Sequence, residues 1–268
     1  MPFSSNHSIA ALAPAVRDAA RQAGELALPY FRAGAQTAAK LWYKGQSSPV
    51  TEADIALDTF LKEHLSALFP QAGWLSEETA DNPSRLDQSD VWIVDPIDGT
   101  RAFASGLSDW AISIALVRDG RPILGILYAP VHERLYEARI GEGAWCNGER
   151  LSLTQADDFS HARVAGPKPL VDLFERRMGG PVERLPKVPS LALRLARVAD
   201  GTIDVGLVSA NAQDWDIAAA DLILQEAGGR LTGFDGSTPI YNRPRPSHDE
   251  MIAVASRLHP RAIGAMRA

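Results

Sequence analysis

Two carboxylates set three positions apart at the end of an apolar run are the residues of this chain best placed to do chemistry. Asp95-Pro96-Ile97-Asp98-Gly99-Thr100 follows directly on Val91-Trp92-Ile93-Val94. The apolar run reads as a buried strand, and the acid-proline-acid-glycine stretch after it reads as a turn at the strand end. Pro96 presets its own φ and Gly99 lets the backbone pass close to a neighbour, so Asp95 and Asp98 can face one point. Two hard oxygen donors on one point suit a divalent cation. Thr100-Arg101-Ala102-Phe103-Ala104 can then open a short helix, whose free amides and positive dipole end favour a phosphate beside the cation. Together these features point to metal-assisted phosphoryl chemistry. A plain Asx turn leaving a sheet would explain one Asp-Pro pair, but it is a poor explanation of all six residues.

Other acidic residues also sit at the ends of elements, next to apolar sequence. Glu77-Glu78 follows Trp74-Leu75-Ser76, a short strand candidate; adjacent acids are usually a solvated pair, a reading weakened here by the flanking apolar residues. A helix is expected to begin near Thr51, with Thr51 and Asp54 spaced as a capping box. At about 100° per residue, Leu57, Leu61, Leu65 and Leu68 share one stripe of that helix, and Asp54 projects to the same side. Asp54 is therefore either a first-turn cap or a group facing a polar site, and both readings stand. Asp216 repeats the pattern in the first turn of a helix expected from Trp215 to Ala227, on the side of Ala220, Ile223 and Ala227, with Asp221 and Gln225 pointing away. Its inward direction favours a ligand over a surface cap. Glu77, Asp95, Asp98 and Asp216 form an oxygen-only set, which suits Mg²⁺ or Mn²⁺ rather than zinc. None of His7, His64, His132, His161, His248 and His259 has a metal-pair spacing. Several carboxylates buried together without a cation would be costly, because like charges at close range cannot all ionise.

The bulk composition sets limits on the rest. With 268 residues, 46% of them hydrophobic, the chain can bury the core of one large domain or of two closely packed lobes. A formal net charge of -6 without a basic cluster argues against binding a nucleic-acid polymer or an anionic membrane. The single cysteine, Cys146, allows no internal disulfide and no cysteine-based zinc site, so a cytoplasmic location is expected. The apolar stretch from Ile9 to Val16 is short and lacks a basic flank, and neither a targeting segment nor a membrane span is read.

The elements that must position the acids follow in order. A helical pattern runs from Ser8 to Phe31, and Lys44-Gly45-Gln46-Ser47-Ser48-Pro49 reads as an exposed, mobile loop. Phe69-Pro70 closes the second helix, and Ala80 to Asp90 reads as a loop. Trp110 to Val117, a turn at Asp119-Gly120 and Pro122 to Tyr128 form a hairpin, which Leu135 to Ala138 and Ala144 to Leu153 continue as an antiparallel meander. The second half alternates more: a strand at 162–165, helices at 170–178 and 191–199, a strand at 202–208, the helix at 215–227 with Gly228-Gly229 as its stop, strands at 230–232 and 251–255, and a last short helix. This is an α/β (α+β) chain with lobes at roughly 1–153 and 154–268.

Three separated motifs carry a family resemblance: Glu77-Glu78, Trp92 through Thr100, and Trp215-Asp216-Ile217-Ala218 followed by Glu226-Ala227-Gly228-Gly229. With Lys44 and Val50-Thr51-Glu52-Ala53-Asp54, the chain resembles the inositol monophosphatase family, which includes histidinol-phosphate phosphatases and 3'(2'),5'-bisphosphate nucleotidases. The resemblance implies one layered α-β-α-β-α sandwich of the sugar-phosphatase type and a homodimer. It implies two or three Mg²⁺ ions, with Mn²⁺ as a substitute: Glu77, Asp95 and the Ile97 carbonyl on one, Asp95, Asp98 and Asp216 on another, and Asp95 bridging. Asp54 and Thr100 match residues that polarise the attacking water, and Glu77 is grouped with them as catalytic. The amides of Gly99 and Thr100 would grip the phosphate, and lithium would inhibit.

The implied activity is hydrolysis of a small phosphomonoester by metal-activated water. The substrate-side matches are partial. Ser209 stands where inositol-specific members carry a Glu, and Ser190-Leu191-Ala192 matches the Gly-Thr-Ala stretch at the substrate mouth only in part, with Ser190 and Ala192 as candidate contacts. Arg101 resembles the histidinol-phosphate and bisphosphate-nucleotide branches, and Arg194 falls in a substrate-side helix. Two other classes are weighed. Haloacid-dehalogenase-type phosphatases place Asp-x-Asp-Gly-Thr after a strand and form an aspartyl-phosphate, whereas the spacing here is Asp-x-x-Asp-Gly-Thr. A non-catalytic phosphosugar- or metal-binding regulator would be expected to lack one of Asp54, Glu77, Asp95, Asp98, Thr100 and Asp216, and all are present.

Overall fold

In the computed structural model, which describes residues 9–44, 48–153 and 158–267, the chain opens with α1 (Ile9–Ala27). A hairpin of β1 (Leu41–Lys44) and β2 (Ser48–Thr51) follows, then α2 (Glu52–Leu68). One sheet is then laid down with its strands side by side in chain order: β3 (Gly73–Ser76), β4 (Asp90–Asp98), β5 (Ala111–Arg118), β6 (Arg121–Ala129), β7 (Arg134–Arg139), β8 (Gly143–Cys146) and β9 (Glu149–Arg150). The helix α3 (Thr100–Ala104) lies between β4 and β5. Only β3 and β4 pair in parallel, and the remaining neighbours are antiparallel, as the turn signals lead one to expect.

The second half comprises β10 (Arg163–Ala165), α4 (Lys168–Met178), β11 (Glu183–Arg184), α5 (Leu191–Ala199), β12 (Val205–Val208), β13 (Ala212–Gln213), α6 (Asp214–Glu226), β14 (Gly229–Gly233), β15 (Ser247–His248), β16 (Met251–Ala255) and α7 (His259–Arg267). Its mixed sheet has the order β11-β10-β12-β16-β14. Where an exposed loop is expected around Lys44 to Pro49, both flanks pair as the β1–β2 hairpin, and Gly45, Gln46 and Ser47 lie outside the described residues. Ser8, the expected start of the first helix, also lies outside them, and α1 ends at Ala27 rather than continuing to Phe31. The expected loop from Ala80 to Asp90 contains a 3-10 turn at Pro83–Asp87, opened by Asn82 accepting from the Ser84 amide.

Alternation along the strands sorts the core into layers. Trp92, Val94, Ile112, Ile114, Leu124 and Ile126 face α1 and α2, where Leu57, Leu61 and Leu65 are fully buried. Each such leucine stabilises the packing by about 1.5–3 kcal/mol, which makes the α2 stripe the main force seating that helix. Val91, Ile93, Ala115, Leu127 and Ala138 face the other way, onto α5 and α6. Those two helices are covered on their far side by Ala165, Val208, Leu231 and Ala253 of the second sheet. Beyond that sheet, Val164, Val205, Leu207, Ile252 and Val254 pack under α4 and α7. The order is helix, sheet, helix, sheet, helix.

The middle layer approaches the first sheet closely at Gly125, where an added Cβ would lie 2.6 Å from the carbonyl oxygen of Ala219. Because α6 has a sheet on each face, its polar residues cannot all reach water. Asp221, expected to point away from the apolar side, is buried and accepts from the Tyr241 hydroxyl at 2.8 Å. Its carboxyl is pushed up to about 6 by burial, against the Tyr241 bond and the charge of His248. At the start of α6, buried Asp214 accepts from the Asn242 amide at 2.8 Å and lies 2.7 Å from His248 Nε2, which ties the helix to β15. No helix among the described residues is long and apolar enough to cross a membrane.

Candidate active site

Helices α2 and α6 deliver carboxylates by the same device. In each, an aspartate at the third helical position returns one oxygen to the amide of the residue before the helix, which satisfies a donor the helix cannot satisfy itself. Asp54 Oδ2 accepts from the Thr51 amide at 2.7 Å and from the Thr51 hydroxyl at 2.5 Å. Its other oxygen, Oδ1, lies 3.1 Å from the hydroxyl of Thr100. The two readings of Asp54 are thus both realised, cap on one oxygen and site on the other. Asp216 likewise accepts from the Gln213 amide at 2.7 Å.

The central turn forms at the end of β4, where register with β5 shifts between Asp95 and Asp98. Asp95 Oδ1 accepts from the Ile97 amide at 3.0 Å, and the Ile97 carbonyl lies 3.1 Å from the Thr100 hydroxyl. Gly99 takes φ +95, where an added Cβ would stand 3.1 Å from the Asp109 carbonyl and 3.3 Å from the Ser190 amide nitrogen, so this position requires glycine. The Ser190 hydroxyl donates to Asp98 Oδ2 at 2.5 Å, the Ala192 amide donates to the same oxygen at 2.6 Å, and the Leu191 amide donates to Oδ1 at 3.2 Å. Asp98 thereby caps α5, and Ser190 and Ala192 act on it directly.

Asp95, Asp98 and Asp216 each bring an oxygen within 4.8 Å of the others. Glu77 follows β3, its amide donating to the Val94 carbonyl at 3.4 Å and its carbonyl accepting from Lys44 Nζ at 3.0 Å. Lys44 also pairs with Glu78. Burial, then the charges of Asp216 and Glu78, pushes Glu77 up to about 8, with Lys44 opposing. Burial and Asp98 push Asp216 up to about 7. Burial, then Glu77, Asp98 and Asp216, raises Asp95 well above the usual carboxylate range. Burial raises Asp98 against the bonds from Ser190, Ala192 and Leu191. Asp54 is pushed up to about 6, chiefly by burial.

Buried carboxylates gathered this closely are costly to ionise together without a positive partner, and an oxygen-only set fits a hard divalent cation. Arg194, in α5, is buried instead of facing a substrate cleft; it donates to the carbonyls of Leu207 at 2.9 Å and Val188 at 2.8 Å. Arg101 is exposed on α3, and Ser209 is exposed just past β12. Asp58, Ser76 and Thr79 also join this region, though no local sequence signal marks them: Asp58 is buried on α2 one turn after Asp54.

A family model described as the inositol monophosphatase family matches residues 9–268. Inositol monophosphatase 2 of Solanum lycopersicum is 33% identical over 232 residues, covering 82% of this chain and 86% of that protein. The 3'(2'),5'-bisphosphate nucleotidase CysQ of Aggregatibacter actinomycetemcomitans is 31% identical over 254 residues, covering 91% of this chain and 90% of that protein. Among solved structures, the extragenic suppressor protein suhB of Bartonella henselae superimposes with a TM-score of 0.83 at 28% identity, covering 96% of this chain and 98% of that one.

Proposed function

The chain belongs to the inositol monophosphatase family, and from that membership we propose that it is a Mg²⁺-dependent phosphomonoesterase acting on a small phosphorylated metabolite. The convergence of Asp95, Asp98 and Asp216 within 4.8 Å is the observation that carries this reading. Glu77, Asp95 and the Ile97 carbonyl would hold one ion, and Asp95, Asp98 and Asp216 a second. Mn²⁺ fits the same oxygen donors. Bound there, divalent cations supply Lewis acidity to the phosphoryl and leaving oxygens and lower the pKa of water.

The chain's own residues do the rest. Thr100 Oγ, 3.1 Å from Asp54 Oδ1, takes a proton from the attacking water as its own proton passes to Asp54. With its carboxyl at about 6, Asp54 is ionised at neutral pH yet basic enough to accept that proton. The water oxygen bonds to phosphorus and the ester P–O bond breaks with its electron pair on the alcohol oxygen. That oxygen takes a proton from solvent water as the alcohol leaves, and Asp54 gives its acquired proton back to solvent, so protons balance over the cycle. The amides of Gly99 and Thr100 hold a phosphate oxygen during in-line displacement. Ser190 and Ala192 serve the same step by holding Asp98.

Arg101, exposed on α3 directly after Thr100, and Ser209, exposed past β12, are the proposed substrate contacts. Phosphate release should be measured in Mg²⁺ with inositol 1-phosphate, histidinol phosphate and adenosine 3',5'-bisphosphate. Release from one or more is expected, and release from none would remove the proposal. Activity that persists in lithium well above the Mg²⁺ concentration would remove the lithium-sensitive part. A homodimer in the cytoplasm completes the reading, with light scattering as the check on assembly. The family match does not favour the covalent aspartyl-phosphate route or the non-catalytic regulator.

A further inference from the structure

We propose that Asp58 is a positioning residue for the metal centre, setting the place of Glu77 through the hydroxyls of Ser76 and Thr79. The inference rests on Glu77 being a metal ligand. Asp58 is buried on α2, one turn beyond Asp54. Its Oδ1 accepts from the Ser76 hydroxyl at 2.5 Å and its Oδ2 from the Thr79 hydroxyl at 2.6 Å. Those two residues flank Glu77-Glu78 on either side.

Each hydroxyl, having donated to Asp58, is left to accept, and each accepts from the same corner. Ser76 Oγ lies 3.4 Å from the Glu78 amide, and Thr79 Oγ1 lies 3.3 Å from Trp74 Nε1. Two parallel relays therefore converge on one carboxylate, Glu78 N to Ser76 to Asp58 and Trp74 to Thr79 to Asp58. Between them they bind the chain from Trp74 to Thr79. Glu77 itself is held by its backbone, the amide donating to the Val94 carbonyl and the carbonyl accepting from Lys44. Adjacent acids repel, a repulsion that Lys44 offsets through its pair with Glu78, and the hydroxyl relays add a fixed backbone on either side of Glu77. The fixing group sits on the same helix as Asp54, which aligns Thr100. Thus α2 holds both the proton-accepting pair and the ligand corner in one register.

Outer groups that orient ligands typically contribute 10–100-fold to metal affinity. The test is Mn²⁺ binding, followed by electron paramagnetic resonance of free ion and by calorimetry, on wild type, Asp58→Ala, Thr79→Val and Thr79→Ser. Activity against Mn²⁺ concentration is measured in parallel. Asp58→Ala and Thr79→Val are expected to raise the Mn²⁺ dissociation constant roughly 10-fold or more, while kcat at saturating Mn²⁺ stays near that of wild type. Thr79→Ser, which keeps the hydroxyl, should restore wild-type affinity, and Thr79→Val should add nothing on top of Asp58→Ala. A lowered melting temperature with an unchanged dissociation constant would overturn the inference by reducing Asp58 to a structural group. If Asp58→Ala fails to fold, the Thr79 pair decides alone. Wild type that binds no Mn²⁺ would overturn the metal centre itself and this inference with it.

Discussion

The hydroxyl of Ser190 donates to Asp98 at 2.5 Å across 92 residues of sequence, so a carboxylate from the first sheet caps the helix leading into the second. Asp98 therefore holds the start of α5 with the same carboxylate that is proposed as a metal ligand. The Leu191 and Ala192 amides, both orphan donors at the start of α5, also end on it.

Asp98→Asn should separate these roles. Its amide group would face donors that now end on a carboxylate, with an expected stability loss of about 1–3 kcal/mol. Turnover should fall on the order of 100-fold or more, the scale for removing one preorganised electrostatic group. Steady-state kinetics together with thermal melting check both. Near-normal turnover at limiting Mg²⁺ would remove Asp98 from the ligand set.

Asp54→Asn keeps the shape of the cap and removes the proton acceptor. A loss in kcat on the order of 10²–10⁴ is expected with KM little changed. Thr51→Ala, by contrast, should lower stability by roughly 1 kcal/mol through the lost cap. Single-turnover rates and melting curves distinguish the pair, and a Thr51→Ala enzyme as slow as Asp54→Asn would contradict this division.

The raised carboxyls make metal-free stability depend on pH in an unusual sense. Asp54 and Asp221 at about 6, Asp216 at about 7 and Glu77 at about 8 all exceed their ordinary values near 4. Between those limits the folded chain holds more protons than the unfolded chain, so stability is fully present at low pH and falls as pH rises through about 6 to 8. Metal-free protein should melt at a lower temperature at pH 8.5 than at pH 5.5, within the window those shifts define. Added Mg²⁺ should raise the melting temperature more at the higher pH. Calorimetry in chelator and in Mg²⁺ tests the sign; a metal-free protein that gains stability across that range would show that the carboxylates do not crowd one another.

Gly99→Ala places a side chain at φ +95 against the Asp109 carbonyl and the Ser190 backbone. A cost of about 1–3 kcal/mol is expected from the backbone conformation. Because the displaced neighbour is the serine that holds Asp98, Mg²⁺ affinity should fall as well. Unfolding curves and metal titration report the two effects, and unchanged metal affinity would disconnect Gly99 from Asp98.

Periodicity and motif order made much of this legible. In the meander from β5 to β9, the β5–β6 turn follows from Asp119-Gly120 and the β8–β9 turn from Asn147-Gly148, and α5 and β16 lie where their apolar patterns end. The candidate acids could be picked out because a carboxylate on the apolar side of a helix needs a partner. Two kinds of feature were hidden. Asp221 reads as pointing away from the apolar side of its helix and Arg194 as lying on a substrate-side helix, and only the second sheet reveals that both are buried between layers. Asp58, Ser76 and Thr79 carry no local signature at all, since their meaning lies in a contact across 18 and 21 residues.

Gly125 sets the thickness of the protein at its centre. With 2.6 Å between a would-be Cβ and the Ala219 carbonyl, any side chain there must lift α6 away from the first sheet. Asp216 rides on that helix, whereas Asp95 and Asp98 belong to the sheet. The glycine thus works as a spacer of zero width: one methyl group, meeting the backbone of Ala219 and not Asp216 itself, would widen the gap that a cation would bridge.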